Sequence, residues 1–375
     1  MTGAHRKSKS DSSPQLRASY DYIPSLDGMR AVAILLVVLS HFGLGAVVPG
    51  GFGVTLFFFI SGFLITRLLI AEFNANQRTA IGAFYIRRFL RLGPALAFNI
   101  GLVTALYLML GEPTSKWEVM AGVFYMMNYY YVLGGALPMP LGTLWSLAVE
   151  EHYYALYPWL FSIGWHRPVR FLKLLIAGCI VVLIWRSALA SLWPDVIWQH
   201  YYRTDTRIDS ILYGAILACL LEMPDIDRFF RVVGGWSGVA AATALLLLTF
   251  VYRDEVFRQT VRYSLQGIAL IPIFYGVLFN PQFVLLRRIL ETPVLRLIGQ
   301  LSYSLYLWHE VVLTVAPQFL PDTALSLYLV QLPLCFVIAA ISYYGLERPL
   351  LTLRKAYRSS RLIASDASAT SRAKT

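Results

Sequence analysis

Charge is what this sequence most lacks. Only 14% of its 375 residues are Asp, Glu, Lys or Arg, against about a quarter in a soluble domain, which argues against an ordinary soluble enzyme. Cysteine is nearly absent. Cys179, Cys219 and Cys335 are scattered through apolar stretches without CxxC spacing, so neither a disulfide framework nor a metal site is expected. Each reads as a small hydrophobe. The N-terminal stretch MTGAHRKSKSDSSPQLRASY has no apolar core of the kind a cleavable signal peptide needs. No repeat recurs at a fixed period, and the short alternating segments of a membrane barrel are missing too.

What is present is apolar sequence in long runs. Hydrophobic residues make up 57% of the chain, and its mean hydropathy is +0.59. Runs near the 20 or so residues that cross a bilayer fall at about 26–48, 52–72, 92–111, 143–163, 171–190, 208–222, 234–251, 263–280, 298–317 and 326–346. The expected fold is therefore all-α: a polytopic membrane protein with about ten transmembrane helices. One membrane domain, 21–350, is expected between a disordered tail, 1–20, and a basic tail, 351–375.

The net charge of +11 acquires its meaning from this arrangement. With the N-terminus placed in the cytoplasm, Lys and Arg favour the cytoplasmic segments over the external ones by about four to one. Both termini are then cytoplasmic, and the charge is a topology signal rather than a nucleic-acid footprint. The longest external segment, 112–142, is rich in Tyr, Trp and Met. It suits an interfacial belt or a sugar-facing wall, and 117–133 is a candidate short interfacial or re-entrant helix.

The few polar residues inside the apolar runs are the candidates for chemistry. In SLDGMRAVAILLVVLSHFGLGA, Arg30 and His41 are eleven residues apart. At 3.6 residues per turn they share a face about 16 Å apart, with Asp27 on the same side. Arg30 near the helix entrance could snorkel to the cytoplasm. His41, expected deep, either faces a cavity or is satisfied by a neighbouring helix. In GGFGVTLFFFISGFLITRLLI, Ser61 and Gly62 permit close approach of a ligand or of another helix. In FYIRRFLRLGPAL, Arg87, Arg88 and Arg91 precede a helix expected to start near Pro94. They suit an anionic ligand, or simply anchor the helix to lipid headgroups. In LGTLWSLAVEEHYYALYPWL, Ser146, Glu150, Tyr153 or Tyr154, and Tyr157 share a face, while Glu151 and His152 point elsewhere. Arg207, with Asp209 beside it, is a candidate partner for Glu150. Ser302, Tyr306 and His309 form another polar stripe, and Glu347, Arg348 and Pro349 close the last run.

Taken together, these segments resemble the acyltransferase 3 family of membrane enzymes. The matching stretches are LDGMRAVAILLVVLSH, GVTLFFFISGFLIT, FYIRRFLRLGP, LWSLAVEEHYYALYP, RIDSILYGAILA, LSYSLYLWH and ERPL, in the family's order across about 24–350. The resemblance implies transfer of an acyl group, usually acetyl from cytoplasmic acetyl-CoA, to a carbohydrate hydroxyl at or beyond the far side of the cytoplasmic (inner) membrane. It implies that His41, Glu150 and Arg30 are catalytic. It places Arg88 and Arg91 on the CoA phosphates, with Arg87 in reserve and Ser61 beside the donor. Tyr154, Arg207, Asp209, Tyr306 and His309 become acceptor-side candidates. Many members have Gln or Arg where this chain has Glu-His before the aromatic, which leaves His152 open. The short stretch after Glu347 leads to the expectation that the membrane unit works alone or with a separate esterase-like protein. Acyl transfer to a small product such as a macrolide sugar would share the donor half. A transporter or flippase would be expected to show inverted repeats, which are not visible.

Overall fold

The structure is a computed structural model that describes residues 22–223, 226–321 and 323–353. The expected tails lie outside the described residues, apart from 351–353. All regular elements among the described residues are helical. The principal ones are α1 (Pro24–Leu39), α2 (Gly50–Asn76), α3 (Ile81–Leu110), α4 (Lys116–Val123), α5 (Met127–Val132), α6 (Trp145–Gly164), α7 (Pro168–Leu192), α8 (Thr204–Leu220), α9 (Trp236–Val251), α10 (Val261–Phe279), α11 (Pro293–Gln300), α12 (Ser302–Val315) and α13 (Ala324–Leu351).

Six of these regions are long and apolar enough to cross a membrane: Pro24–Leu44, Gly50–Asn76, Ile81–Leu110, Pro168–Leu192, Val261–Phe279 and Ala324–Leu351. The shorter apolar helix α9 has 16 residues. Three further expected spans are helical where anticipated, as α6, α8 and α12. They miss the criterion because α8 and α12 are short, with 17 and 14 residues, and α6 carries Glu150, Glu151 and His152. Polar groups of that kind are tolerated at such depth when protein rather than lipid surrounds them.

The bundle is built around α2. Its apolar window is 67% buried, against 22% for α13, so α2 is central and α13 peripheral. The peripheral helices α7 and α13 turn Ile180, Val181, Ile184, Val337 and Ile341 outward, as lipid-facing surfaces would. The tightest crossing is α2 on α8. A Cβ on Gly62 would lie 1.9 Å from the Ile211 carbonyl oxygen, and one on Gly214 would lie 1.9 Å from that of Phe59. Two glycines facing opposite ways thus let the backbones touch, which is how membrane helices gain packing energy without a hydrophobic driving force. Ser61-Gly62 therefore has a packing role through its glycine.

One boundary differs from expectation. α3 starts at Ile81, and Pro94 lies inside it, as Pro158 and Pro272 lie inside α6 and α10. A proline removes one N–H and strains one turn, but neighbouring side chains can satisfy the freed carbonyls. In the same turn the Tyr303 hydroxyl donates to the Leu92 carbonyl at 2.9 Å, although the carbonyl that Pro94 itself frees is that of Leu90. Consequently Arg87, Arg88 and Arg91 sit on a helix wall rather than before its first turn.

Candidate active site

α1 ends in a π-helical turn, Ser40–Leu44, that stops at Gly43 with φ 94°. A left-handed glycine is the usual helix stop, and a π-turn often marks a functional position. This turn carries His41. The residue is exposed, with its ring stacked against His309. His41 Nδ1 lies 2.8 Å from Nε2 of the fully buried His309 on α12, and the rings stack with centroids 5.0 Å apart.

The hydrogen bonds fix the protons. His309 Nδ1 lies 2.8 Å from the Tyr306 carbonyl oxygen, which can only accept, so that nitrogen carries the hydrogen. In the neutral ring Nε2 is then an acceptor, and His41 Nδ1–H donates to it. His41 Nε2 is left with its lone pair. The Tyr306 hydroxyl donates to the Thr143 carbonyl at 2.8 Å and lies 2.6 Å from Ser146 Oγ, so α12 and the start of α6 are locked around the histidine pair. Beside it, Glu310 accepts the Thr143 N–H at 3.0 Å and is the charged neighbour of His41.

A second cluster lies one turn further along α6, about 6 Å toward the end where α1 begins. Arg88 stacks on the Tyr154 ring, 3.7 Å from its centroid, and pairs with Glu151 at 3.6 Å. The Tyr154 and Ser61 hydroxyls are hydrogen-bonded. Glu150 lies beside Ser61 and within electrostatic reach of Arg88, Arg30 and Arg91. From α13, Glu347 accepts a hydrogen bond from Ser304 and faces Arg91 and Arg30. Arg30 also approaches Asp27, at 4.0 Å, and Asp27 accepts from Tyr22. A polar line therefore runs through the bundle: Arg30, Arg91 and Glu347; then Arg88, Glu150 and Glu151; then Ser146 and Tyr306; then His309 and His41.

Comparison with known proteins decides the family. A family model described as an acyltransferase domain, of the acyltransferase 3 type, matches residues 23–346. The chain belongs to the acyltransferase 3 family. It is 30% identical over 89% of its length to a peptidoglycan O-acetyltransferase of Listeria monocytogenes, covering 56% of that protein. It is 29% identical over 88% of its length to an O-acetyltransferase of Staphylococcus aureus, covering 57% of it. The chain thus spans little more than half the length of these relatives. No solved structure matches it.

In this acyltransferase domain several expected residues are engaged away from the polar line. Asp209 is held by Arg186, the two fully buried and joined by hydrogen bonds of 3.0 and 3.1 Å. Arg207 donates to Thr55 at 3.0 Å and stacks on Tyr263 at 3.9 Å. Among the described residues Glu150 makes no ion pair with Arg207; it lies within electrostatic reach of Arg88, Arg30 and Arg91. Arg87 turns away to pair with Glu72 of α2 at 3.0 Å, since neighbours on a helix diverge by about 100°. Glu151 joins the site, contrary to the face assignment, because the Arg88 side chain reaches around α6. His152 points to Thr204, 2.7 Å away, and stacks on Tyr129.

Helical periodicity within one segment missed Glu310 and Tyr125. The signal for Glu310 was adjacency to His309. Tyr125 lies in an aromatic run where composition offers nothing to single it out.

Proposed function

We propose that this domain transfers an acetyl group from acetyl-CoA, bound on the cytoplasmic side, to a hydroxyl of a cell-envelope carbohydrate on the opposite side of the cytoplasmic membrane. The observation that carries the reading is the His41–His309–Tyr306 chain, which leaves a lone pair on the exposed His41 Nε2. Nε2 takes the proton of the acceptor hydroxyl as its oxygen attacks the thioester carbonyl. A carbon–oxygen bond forms, the carbon–sulfur bond breaks, and the proton passes on to the departing thiolate. Arg88 and Arg91 attract the anionic donor, and Arg30 extends this positive wall toward the cytoplasm. Glu150 orients the acceptor side of the cluster. His309 holds the His41 ring and its tautomer, a positioning role in place of acceptor contact. The relatives' names suggest peptidoglycan as the acceptor.

The test is acyl transfer by purified full-length protein in detergent with labelled acetyl-CoA, alongside mass analysis of surface glycans with and without the gene. His41→Ala lowers transfer by about 10²–10⁴-fold with unchanged membrane yield. His309→Gln, which keeps an acceptor for His41 Nδ1–H, retains more activity than His309→Leu. Normal transfer by His41→Ala would sink the assignment. Transport of a substrate without any consumption of acetyl-CoA would replace the enzyme reading with a transporter.

A further inference from the structure

The connection between α4 and α5 is a break in a re-entrant segment. α4 folds back along α3, so that Gly122 faces Ile100 and Leu144. Ile100 is ten residues, about 15 Å of helix, in from the α3 terminus at Leu110. α5 then climbs away again, with Asn128 bonded to Thr204 at 2.9 Å and Tyr129 to Asp205 at 3.2 Å, both at the start of α8. The tip, Phe124–Met126, joins the two helices, with the Phe124 and Met126 side chains exposed and Tyr125 half-buried between them.

The tip is closed by two hydrogen bonds, Met126 N–H to the Ala121 carbonyl at 2.7 Å and Tyr125 N–H to the Gly122 carbonyl at 3.3 Å. This pattern requires a left-handed residue, for which glycine is the usual choice. The chain places Tyr125 there, at φ 55°. Among the described residues one other non-glycine, Gln77, has positive φ, and it caps α2 on an exposed loop. A bulky aromatic in this conformation is an outlier, and such outliers cluster at ligand sites where the surroundings hold them in place.

Tyr125 stands within electrostatic reach of Glu151 and Arg88 and of Tyr303 behind them. There Arg88 Nε and Glu151 Oε1 face each other at 3.6 Å, an ion pair too long for a hydrogen bond. We propose that Tyr125 is a substrate-contacting residue that holds the thioester end of the acyl donor against Arg88 and Glu151. Its ring packs on the pantetheine arm. The proposal rests on the acetyl-CoA reading above. Glycine would cap α4 with less strain, so the retained ring serves something other than the turn.

The experiment compares Tyr125→Gly and Tyr125→Phe with the wild type as full-length protein in detergent, by thermal unfolding and by steady-state kinetics with acetyl-CoA. Tyr125→Gly relieves the backbone and melts about 1–2 °C higher, while its kcat/KM for the donor falls about tenfold or more. Tyr125→Phe keeps the wild-type melting temperature and most of the activity. A Gly variant with unchanged donor kcat/KM overturns the proposal. So does one that loses stability together with activity, since the ring would then be ordinary packing. If the wild type turns over no acetyl-CoA, the donor reading fails and this proposal with it; wild-type turnover with a fully active Gly variant removes this proposal alone.

Discussion

Two buried arginine–carboxylate pairs in this bundle look alike on paper and differ in finish. Arg186 meets Asp209 through two parallel hydrogen bonds and also donates to Ser264 at 2.8 Å and to the Thr206 carbonyl. Ser264 returns a hydrogen bond of 3.0 Å to Asp209. Only the Arg186 Nε is left without a hydrogen bond. Arg88 Nε meets Glu151 Oε1 at 3.6 Å, beyond hydrogen-bond length, and this single contact is their pairing. A buried charge is tolerated when its hydrogen bonds are complete. The first pair meets that condition and ties α7, α8 and α10 together. The second is a single long contact whose side chains are part-exposed, and its arginine belongs to the proposed donor path.

The comparison breaks most visibly at the finished pair. Asp209→Ala leaves the Arg186 charge uncompensated in the bundle and destabilises the fold by about 3–5 kcal/mol, seen as lost monodisperse protein or a lowered melting temperature. Arg186→Met combined with Asp209→Leu restores most of that stability, because an apolar pair of similar volume avoids the desolvation cost. Glu151→Ala, in contrast, leaves melting almost unchanged and lowers transfer. Equal loss of stability from Asp209→Ala and Glu151→Ala would erase the distinction between architecture and site.

The same comparison explains what the sequence could disclose. Each of the ten apolar runs is helical, because hydropathy and length are local properties of a segment. The stripe from Arg30 to His41 follows from helix geometry alone, as does the placement of Ser146, Glu150 and Tyr154 on one face. Pairing between helices is not local. Asp209 stands two residues from Arg207, yet its partner is Arg186 from the preceding helix, and the carboxylate that pairs with Arg88 of α3 is Glu151 rather than Glu150. His41 stands on a π-turn that ends at Gly43, a local departure that counting residues along an ideal helix does not foresee. The strained Tyr125 is a backbone property that residue type conceals: nothing in FYMMNYYY separates one tyrosine from the next.

A more modest effect sharpens the contrast at the open pair. Arg88→Ala and Arg91→Ala each raise the KM for acetyl-CoA about tenfold or more, the value of one charge-assisted contact, with a smaller change in kcat. Arg87→Ala leaves the donor KM near the wild-type value, because Arg87 is committed to Glu72. An Arg88 variant whose acceptor KM moves while its donor KM stays fixed would take Arg88 out of the donor site.

A last expected effect concerns a carboxyl that belongs to neither pair. Glu118 on α4 is fully buried. It accepts the Met139 N–H at 3.1 Å, which pins the loop leading to Thr143 and the histidine pair. Burial raises its pKa to about 7, with the nearby Glu310 charge adding to the rise and the Met139 N–H opposing it. A carboxyl raised in the folded state favours folding fully below its unfolded pKa near 4.5, and that contribution is lost as pH climbs through about 7. The wild-type protein should therefore lose thermal stability between about pH 5 and pH 8. Glu118→Gln keeps the acceptor for Met139 without the charge, so its melting temperature stays flatter over that range and exceeds the wild type at the alkaline end. Parallel melting curves for the two proteins across pH would show that Glu118 titrates as an ordinary exposed carboxyl and that the loop is pinned by other contacts.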